Sequence, residues 1–310
     1  MTDINAIQPE IKNFKDAGNR SGRVIALGFF DGVHLGHREI IKKTVEIADG
    51  NDLISTVLTF KNFKLKDPTE IRGYEEKLRI FEKLGVHQVI SLDFNAVKDI
   101  EAEEFVSDIL YDGFDSRVLV SGTDYTFGKG GKGDVDLLKV LSSKKGIKVE
   151  VVDDVFFEGE KCSSTLIRNL LLEGNVSKAN RLLGDERFSY EGLVVRGKML
   201  GSTLGFPTAN LPIPADRFKP KFGVYVTLTT MDGMKYKSIS NLGLRPTVED
   251  SDNVNIETFI YGHQGELYGK DIRVELLDFV REEKKFGSVD ELKAQVEADK
   301  KKVANLWEIG

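Results

Sequence analysis

The spacing of the apolar residues changes near Gly184, and no other feature limits the possible folds of this chain as much. Before this point, short aliphatic runs alternate with segments of helix length, which is typical of βαβ units around a parallel sheet. After it, apolar residues recur at every second position, as in half-exposed strands. Gly and Pro are frequent between these runs, as in the turns that join strands. The chain has 310 residues, which is enough for two separate cores. We therefore predict two domains, residues 1–185 and residues 186–310.

The first domain is predicted to be an α/β domain with a parallel sheet. Its aliphatic and β-branched runs have the length of buried strands, and the segments between them have a helical spacing of apolar residues. In the segment Tyr74 to Leu84, for example, apolar residues recur every third position and charged residues cover the other faces. The predicted strands are Val24–Leu27, Leu53–Phe60, Gln88–Leu92, Arg117–Val120 and Lys148–Val152.

The second domain is predicted to be a small antiparallel β-barrel followed by a helix. Ser288 and Glu291 have the spacing of a capping box, and an apolar stripe from Val289 to Leu306 would pack on the barrel. The number of alternating segments is typical of a small closed sheet. The predicted strands are Tyr190–Arg196, Val224–Thr230, Tyr236–Leu242, Asn255–Tyr261 and Ile272–Phe279.

Composition excludes several classes of protein. The formal net charge is −6, so the whole chain has no electrostatic reason to bind nucleic acid. Cys162 is the only cysteine, which excludes an internal disulfide and a cysteine-rich zinc site and favours a reducing compartment. The first residues lack the pattern of a secretory signal, and no apolar run approaches the ~20 residues of a membrane span. We expect a cytoplasmic protein without a membrane partner.

A glycine-rich segment, Gly28-Phe-Phe-Asp-Gly-Val-His-Leu-Gly-His37, follows the first predicted strand, where an open parallel sheet binds ligands. The following helix would offer free N–H groups, and His34 and His37 can donate hydrogen bonds to phosphate oxygens. The alternatives are a glycine-rich turn with incidental histidines and a zinc site, although no third zinc ligand is evident nearby. The glycines that would allow tight turns and close backbone approach are Gly28, Gly32 and Gly36.

A second candidate segment is Cys162-Ser-Ser-Thr-Leu-Ile-Arg168. Ser163 or Ser164 would cap a helix that carries Thr165 and Arg168 on its first turn. Hydroxyls, amides and a guanidinium would then converge, as a triphosphate requires. The alternative is an ordinary helix cap beside a surface arginine.

A third candidate segment, Gly197 to Asn210, carries three glycines but lacks the Gly-Lys-Ser/Thr ending of a Walker loop. Backbone amides at Gly201 and Gly205 could approach phosphates, and Thr208 and Asn210 offer neutral oxygens to magnesium. A glycine-rich turn of the barrel is an equally good interpretation of these residues alone.

The first two segments together resemble the HxGH nucleotidylyltransferases, and the wording GFFDGVHLGH with SSTLIR resembles the FAD synthetase half of the bifunctional riboflavin kinase/FMN adenylyltransferases. The resemblance implies a Rossmann-like domain in which Ser164, Thr165 and Arg168 stabilise the leaving pyrophosphate. It also implies that Gly122 and Asp124, in the segment Gly122-Thr-Asp-Tyr, lie near the nucleotide or flavin. The ATP-binding residues implied around the histidines are Gly28, Phe30, Asp31, Gly32, His34, Gly36 and His37.

The third segment resembles riboflavin kinases in its Gly-Phe-Pro-Thr-Ala-Asn ending, and the likeness continues in Asn241-Leu-Gly-Leu-Arg-Pro-Thr247 and Ile256-Glu-Thr258. It implies that Thr208 and Asn210 hold magnesium and ATP. Glu257 would be the base that accepts the proton of the ribityl 5′-hydroxyl, and Arg281 would lie over the flavin. The glycines implied in ATP binding are Gly197, Gly201 and Gly205.

Two positions depart from the first pattern. The family usually has a His-Pro pair soon after Thr-Phe, whereas Thr59-Phe60 is followed here by Lys-Asn-Phe-Lys, and Phe29 stands where many members have Asn. In the second pattern, Phe259 replaces a frequent His. The missing His-Pro pair is the reason to consider a chain without adenylyltransferase activity as an alternative.

The resemblance implies an enzyme that uses ATP and Mg²⁺ to convert riboflavin to FMN and FMN to FAD. One alternative is a riboflavin kinase whose first domain has little or no adenylyltransferase activity. Another is a flavin-responsive regulator that binds the same molecules without turnover. The sequence leaves the oligomeric state open.

Overall fold

The structure, a computed structural model, describes residues 7–61, 69–196, 208–244, 254–284 and 287–309. The chain divides into two compact units, Met1–Ser164 and Thr165–Gly310. The division precedes a pair of helices that we had assigned to the first domain. One physical reason is Asn180, whose side chain bonds Leu276 O at 2.8 Å and Phe188 N at 2.8 Å within the second unit. The functional boundary at residue 185 stays a prediction.

The first unit is built on a six-stranded sheet. Its strands are β1 (Glu10–Asn13), β2 (Arg23–Leu27), β3 (Ile54–Lys61), β4 (Gln88–Asp93), β5 (Ser116–Gly122) and β6 (Lys148–Val152). Their order is β1-β4-β3-β2-β5-β6, with β1 antiparallel to β4 and the remaining pairs parallel. A short hairpin, β7 (Phe156–Phe157) and β8 (Glu160–Lys161), follows the sheet.

Helices cover both faces of this sheet, so that alternate residues of each strand enter different cores. On β2, Ile25 and Leu27 belong to one core, whereas Val24 and Ala26 belong to the other. The helices are α1 (Leu35–Gly50), α2 (Tyr74–Lys83), α3 (Phe94–Val97), α4 (Ala102–Glu104), which continues as a π-helix (Phe105–Gly113), and α5 (Val135–Ser143).

The second unit begins with helices α6 (Ser164–Glu173, whose first residue ends the first unit) and α7 (Val176–Leu183) and continues as an antiparallel sheet. The sheet order is β10-β13-β12-β11-β14-β9, and a bridge between Val195 and Asn210 joins its two edges, so it is nearly closed into a barrel. The strands are β9 (Ser189–Leu193), β10 (Ala209–Pro212), β11 (Gly223–Met231), β12 (Met234–Leu244), β13 (Val254–Ile260) and β14 (Asp271–Arg281).

The terminal helix, α8 (Val289–Ile309), packs on the outer face of the barrel. Val303 is fully buried with Val224, Val226 and Ile239. Ser288 Oγ accepts a hydrogen bond from Glu291 N at 3.2 Å, which confirms the predicted cap. Among the helices of the described ranges, none has the length and apolar content that a membrane-spanning segment requires.

The strand predictions are confirmed, with ends that differ by at most three residues. The sequence interpretation missed β1, whose four residues are all exposed, β10, which is short and ends at a proline, and the two-residue strands β7 and β8. Strand β1 has no apolar alternation, and the alternation of Ala209, Asn210 and Leu211 in β10 is too short to mark a strand.

Candidate active sites

The first candidate site lies at the topological switch point of the parallel sheet. Strands β3 and β4 lie on one side of β2, whereas β5 and β6 lie on the other. Gly28 follows β2 and Gly122 ends β5, so both glycines are at the carboxyl ends of neighbouring strands. Open α/β sheets bind ligands at this position.

The loop after β2 has an uncommon backbone conformation. Phe30, Gly32 and Val33 have φ values of 55°, 78° and 43°. A positive φ is unfavourable for residues other than glycine, and most of all for β-branched valine. The loop therefore needs contacts from the surrounding structure to hold this shape.

Three hydrogen bonds from other segments provide such contacts. Thr59 Oγ1 donates to Phe29 O at 3.1 Å, and Ser164 Oγ donates to Asp31 O at 2.9 Å. The Asp31 carboxylate is buried and accepts from Ile71 N at 2.9 Å. Two residues expected to bind ATP, Asp31 and Ser164, thus make contacts that hold the loop.

Arg72 makes a fourth contact with the loop. Its side chain is fully buried, and its Nε donates to Gly32 O at 2.8 Å. Its Nη1 lies 2.5 Å from Oε1 of Glu76, which is also buried. Sequence reasoning missed this pair, because a single Arg and Glu at the start of a helix give no sign of burial.

His34 and His37 lie together at the N-terminus of α1. Their rings stack with centroids 3.6 Å apart, and Phe30 contacts the ring of His37 edge to face at 5.4 Å. Burial lowers the pKa of His34 to about 4, with Asp124 acting against this shift and Lys161 adding to it. Burial, His34 and Lys77 likewise lower the pKa of His37. Both imidazoles are therefore neutral at pH 7.

The tautomer of His34 follows from its role as the N-cap of α1. Its Nδ1 accepts a hydrogen bond from His37 N at 3.4 Å, so the proton of the neutral ring is on Nε2. Nε2 is thus a hydrogen-bond donor without a positive charge. His37 Nδ1 is buried and has no hydrogen-bond partner within the described ranges.

The first amides of α1 already have protein partners, in contrast to the free N–H groups that we expected. His34 accepts from His37 N, and the amides of Gly36 and Leu35 bond the thiol of Cys162. Burial raises the pKa of this thiol, and the two amides act in the opposite direction. Anion binding at this helix would therefore depend on side chains as well as on the helix dipole.

The loop after β5 contributes a cluster of charged side chains. Lys161 Nζ lies 2.9 Å from Asp154 Oδ1 and 3.3 Å from Asp124 Oδ2. Thr123 Oγ1 also donates to Asp154 at 2.8 Å, and these hydrogen bonds lower the pKa of Asp154. Gly122 and Asp124, both predicted site residues, are thus accompanied by Lys161, which sequence reasoning did not single out.

Two further predicted residues of this site follow the boundary between the units. Thr165 and Arg168 belong to the second unit, where the Arg168 guanidinium lies 5.6 Å from the centre of the Phe218 ring. The missing His-Pro pair would fall within residues 62–68, which lie outside the described residues. The roles of Thr165 and Arg168 stay predictions.

The second candidate site is a row of side chains across the antiparallel sheet. Asn210 on β10 is directly opposite Glu257 on β13, and Glu257 is opposite Asn241 on β12. Asn241 is opposite Val224 on β11, which is opposite Arg281 on β14. Residues in register share one face of a sheet. The polar side chains of Asn210, Glu257 and Asn241 therefore lie side by side.

Asn255 lies beside this row and was not singled out from the sequence. It is buried, with 8% of its surface exposed, whereas Glu257 is exposed. Its Nδ2 donates to Asn210 Oδ1 at 3.0 Å and to Glu257 Oε1 at 3.3 Å. Thr208 is half-buried next to β10, and the predicted Gly197, Gly201 and Gly205 lie outside the described residues.

Arg281 is held by the terminal helix. Its Nη2 lies 2.6 Å from Asp299 Oδ2, and its Nε lies 3.0 Å from the same oxygen. Gln295 Nε2 donates to Asp299 Oδ1 at 3.0 Å. Gly223 is required at the adjacent position, since an added Cβ would lie 2.2 Å from the Arg281 carbonyl oxygen.

In the described ranges, no group of three or more His, Cys, Asp and Glu side chains could hold a metal ion. The neutral oxygens of Thr208 and Asn210 nevertheless suit Mg²⁺, which commonly binds one or two protein oxygens together with phosphates.

A doubly wound sheet with stacked histidines at its switch point and a barrel with an amide and carboxylate row define a two-unit enzyme that transfers phosphorus-containing groups. The FAD synthetase family model matches residues 16–166 and the riboflavin kinase model matches residues 185–307. These matches together span most of the chain and do not overlap.

Curated relatives carry one common name, bifunctional riboflavin kinase/FMN adenylyltransferase. The protein of Listeria monocytogenes is 34% identical, covering 89% of this chain and 90% of its own. That of Bacillus subtilis is 33% identical over 92% of both chains. A crystal structure described as a macrolide-efflux protein of Streptococcus pneumoniae has a TM-score of 0.82 and 33% identity, covering 95% of this chain and 97% of that chain.

These comparisons establish the family. The chain belongs to the bifunctional riboflavin kinase/FMN adenylyltransferases.

Proposed function

We propose that residues 186–310 phosphorylate riboflavin to FMN with ATP, and that residues 1–185 adenylylate FMN to FAD with release of pyrophosphate. The observation that carries this proposal is that two family models match separate parts of one chain. Each part contains a group of polar side chains suited to one of the two reactions.

In the kinase reaction, the 5′-hydroxyl of riboflavin would attack the γ-phosphorus of ATP, and ADP would leave. Glu257 is exposed on the sheet face and can accept the proton that the hydroxyl loses. Asn210 is directly opposite Glu257. The amide oxygen that would bind the Mg²⁺ of the nucleotide is thus adjacent to the carboxylate that would accept the proton of the flavin. Arg281 would contact the flavin while Asp299 holds its guanidinium.

In the adenylyltransferase reaction, a phosphate oxygen of FMN would attack the α-phosphorus of ATP, and pyrophosphate would leave. His34 Nε2 would donate a hydrogen bond to a phosphate oxygen from a neutral ring. His37 would satisfy its buried Nδ1 when the nucleotide binds. No covalent intermediate is required, so alignment and stabilisation of developing charge would supply the rate enhancement.

Mg²⁺ would neutralise part of the charge of the ATP phosphates. In the kinase, Thr208 and Asn210 would hold it, because both side chains offer uncharged oxygens and Asn210 is directly opposite Glu257. We also propose a cytoplasmic location, which the single, reduced Cys162 favours.

A product assay tests the proposal and separates it from the alternatives. The purified protein is incubated with riboflavin, MgATP and, separately, with FMN and MgATP, and the flavins are then resolved. FMN from the first mixture and FAD from the second are expected. FMN without FAD from either mixture would favour the kinase-only alternative, whereas tight flavin binding without any product would favour a regulator.

A further inference from the structure

The side chain of Asn255 links the two polar residues that the kinase reaction requires. One nitrogen, Nδ2, lies within hydrogen-bond distance of both Asn210 Oδ1 and Glu257 Oε1. We propose that Asn255 is a positioning residue of the kinase site, which holds the Glu257 carboxylate and the Asn210 amide in one relative orientation. This inference rests on the proposed kinase function.

The orientation of the three groups follows from their hydrogen-bonding chemistry. An ionised carboxylate only accepts hydrogen bonds, so Asn255 must turn its NH₂ group towards Glu257. That group has two hydrogens, and the second is directed at the oxygen of Asn210. The amide of Asn210 is thereby fixed with its oxygen inside the cluster, where a second lone pair stays available to a cation.

The backbone supports this arrangement. Asn255 is two residues before Glu257, so both side chains leave the same face of β13. Strand β13 is hydrogen-bonded on both sides, with Asn255 opposite Pro212 on β10 and opposite Gly243 on β12. The buried amide of Asn255 on this central strand is therefore a rigid support for the exposed carboxylate of Glu257.

The energetic reason for such a residue is the freedom of an exposed glutamate. Without a partner, Glu257 would populate several rotamers, of which few direct the carboxylate at the substrate hydroxyl. A misplacement of about 1 Å in a reacting group can lower a rate by about 10²-fold. Loss of the Asn255 donors should thus lower kcat more than it raises KM.

Asn255→Asp tests the proposal, because it preserves size and replaces the NH₂ donor by an oxygen that repels Glu257. We expect kcat for FMN formation to fall about 10²-fold and KM for riboflavin to change less than about threefold, whereas KM for ATP should rise because Asn210 is released as well. In a Glu257→Gln background the same change should lower kcat by a clearly smaller factor, since the carboxylate that Asn255 orients has been replaced and only Asn210 is left to position. Asn175→Asp is the matched control, because Asp caps helix α7 as Asn175 does.

Failure of this inference is distinguishable from failure of the proposed function. If the unmodified protein forms no FMN, the kinase proposal itself is wrong. If it forms FMN but Asn255→Asp retains kcat within about twofold, or lowers kcat equally with and without Glu257, the positioning role is wrong. Should Asn255→Asp not fold, Asn255→Val, which suits a strand and has no hydrogen-bond donor, takes its place, and an unchanged kcat would overturn the inference.

Discussion

The two candidate sites are built on different structural principles. In the first unit, a loop with positive φ at Phe30, Gly32 and Val33 is held from outside by buried side chains, among them Arg72. In the second unit, the functional groups are side chains brought side by side by strand register, as Glu257 is with Asn210.

This difference separates two kinds of sensitivity. The loop site depends on residues that fix its backbone and have no direct role in chemistry. The barrel site depends on the side chains themselves, because its backbone is already fixed by the ladder of the sheet. A substitution in one site should therefore lower the activity of that site and leave the other activity unchanged.

The largest effects should come from one substitution in each of the two sites, with both activities measured for each variant. Glu257→Gln should lower the rate of FMN formation by about 10²–10⁴-fold, since it removes the proton acceptor. His34→Asn should lower FAD formation from supplied FMN by about 10²–10³-fold, because Asn retains the helix cap but lacks the distal donor. The check is to measure both rates for both variants. A single substitution that abolished both activities would break the comparison.

The next effect concerns the support of the loop. Arg72→Met should destabilise the first unit by about 3–5 kcal/mol and lower FAD formation, because it removes a buried ion-pair partner of Glu76 and a donor to the loop. Urea unfolding of the full chain and the rate of FAD formation provide the two measurements. The double variant Arg72→Met, Glu76→Leu should recover part of the stability, whereas its rate of FAD formation should stay low. Arg117→Met, which alters an exposed ion pair, should cost at most about 1 kcal/mol.

Acid should weaken the first unit through His34. Because the pKa of His34 is lowered to about 4 in the folded state, the unfolded chain binds a proton more readily. The contribution of neutral His34 to the free energy of unfolding is complete above its unfolded pKa of about 6.5. It is lost as the pH falls to about 4, which lowers the free energy of unfolding by about 3 kcal/mol. Urea unfolding across this range should show a smaller loss for His34→Asn than for the unmodified protein. Parallel pH dependences would mean that His34 is not held neutral by burial.

The smallest effect should be confined to the second unit. Ser288→Ala should destabilise it by about 1 kcal/mol, because the cap of α8 is lost, while FAD formation from FMN should not change. Ser288→Asp should retain the stability, since Asp is an equally good cap. Thermal unfolding of the three proteins gives the comparison, and a loss shared by Ala and Asp would contradict a capping role.

Sequence patterns predicted most of the fold because they depend on near neighbours. Alternation and helical spacing located the strands around Val24 and Tyr225, and Ser288 was identified as a cap from its distance to Glu291. Strand β1 was missed because an exposed edge strand needs no apolar alternation. The likeness to known motifs identified His34 and Glu257, although their roles await experiment.

The sequence by itself determined the two cores, the order of the elements and the polar residues at the ends of strands, since these depend on local spacing and on residue type. Only the tertiary structure decided that Arg72 would be buried against the loop and that Asn255 would lie between Asn210 and Glu257. Such contacts join residues far apart in the chain. Their geometry depends on packing and register across the whole unit, which no short stretch of sequence specifies.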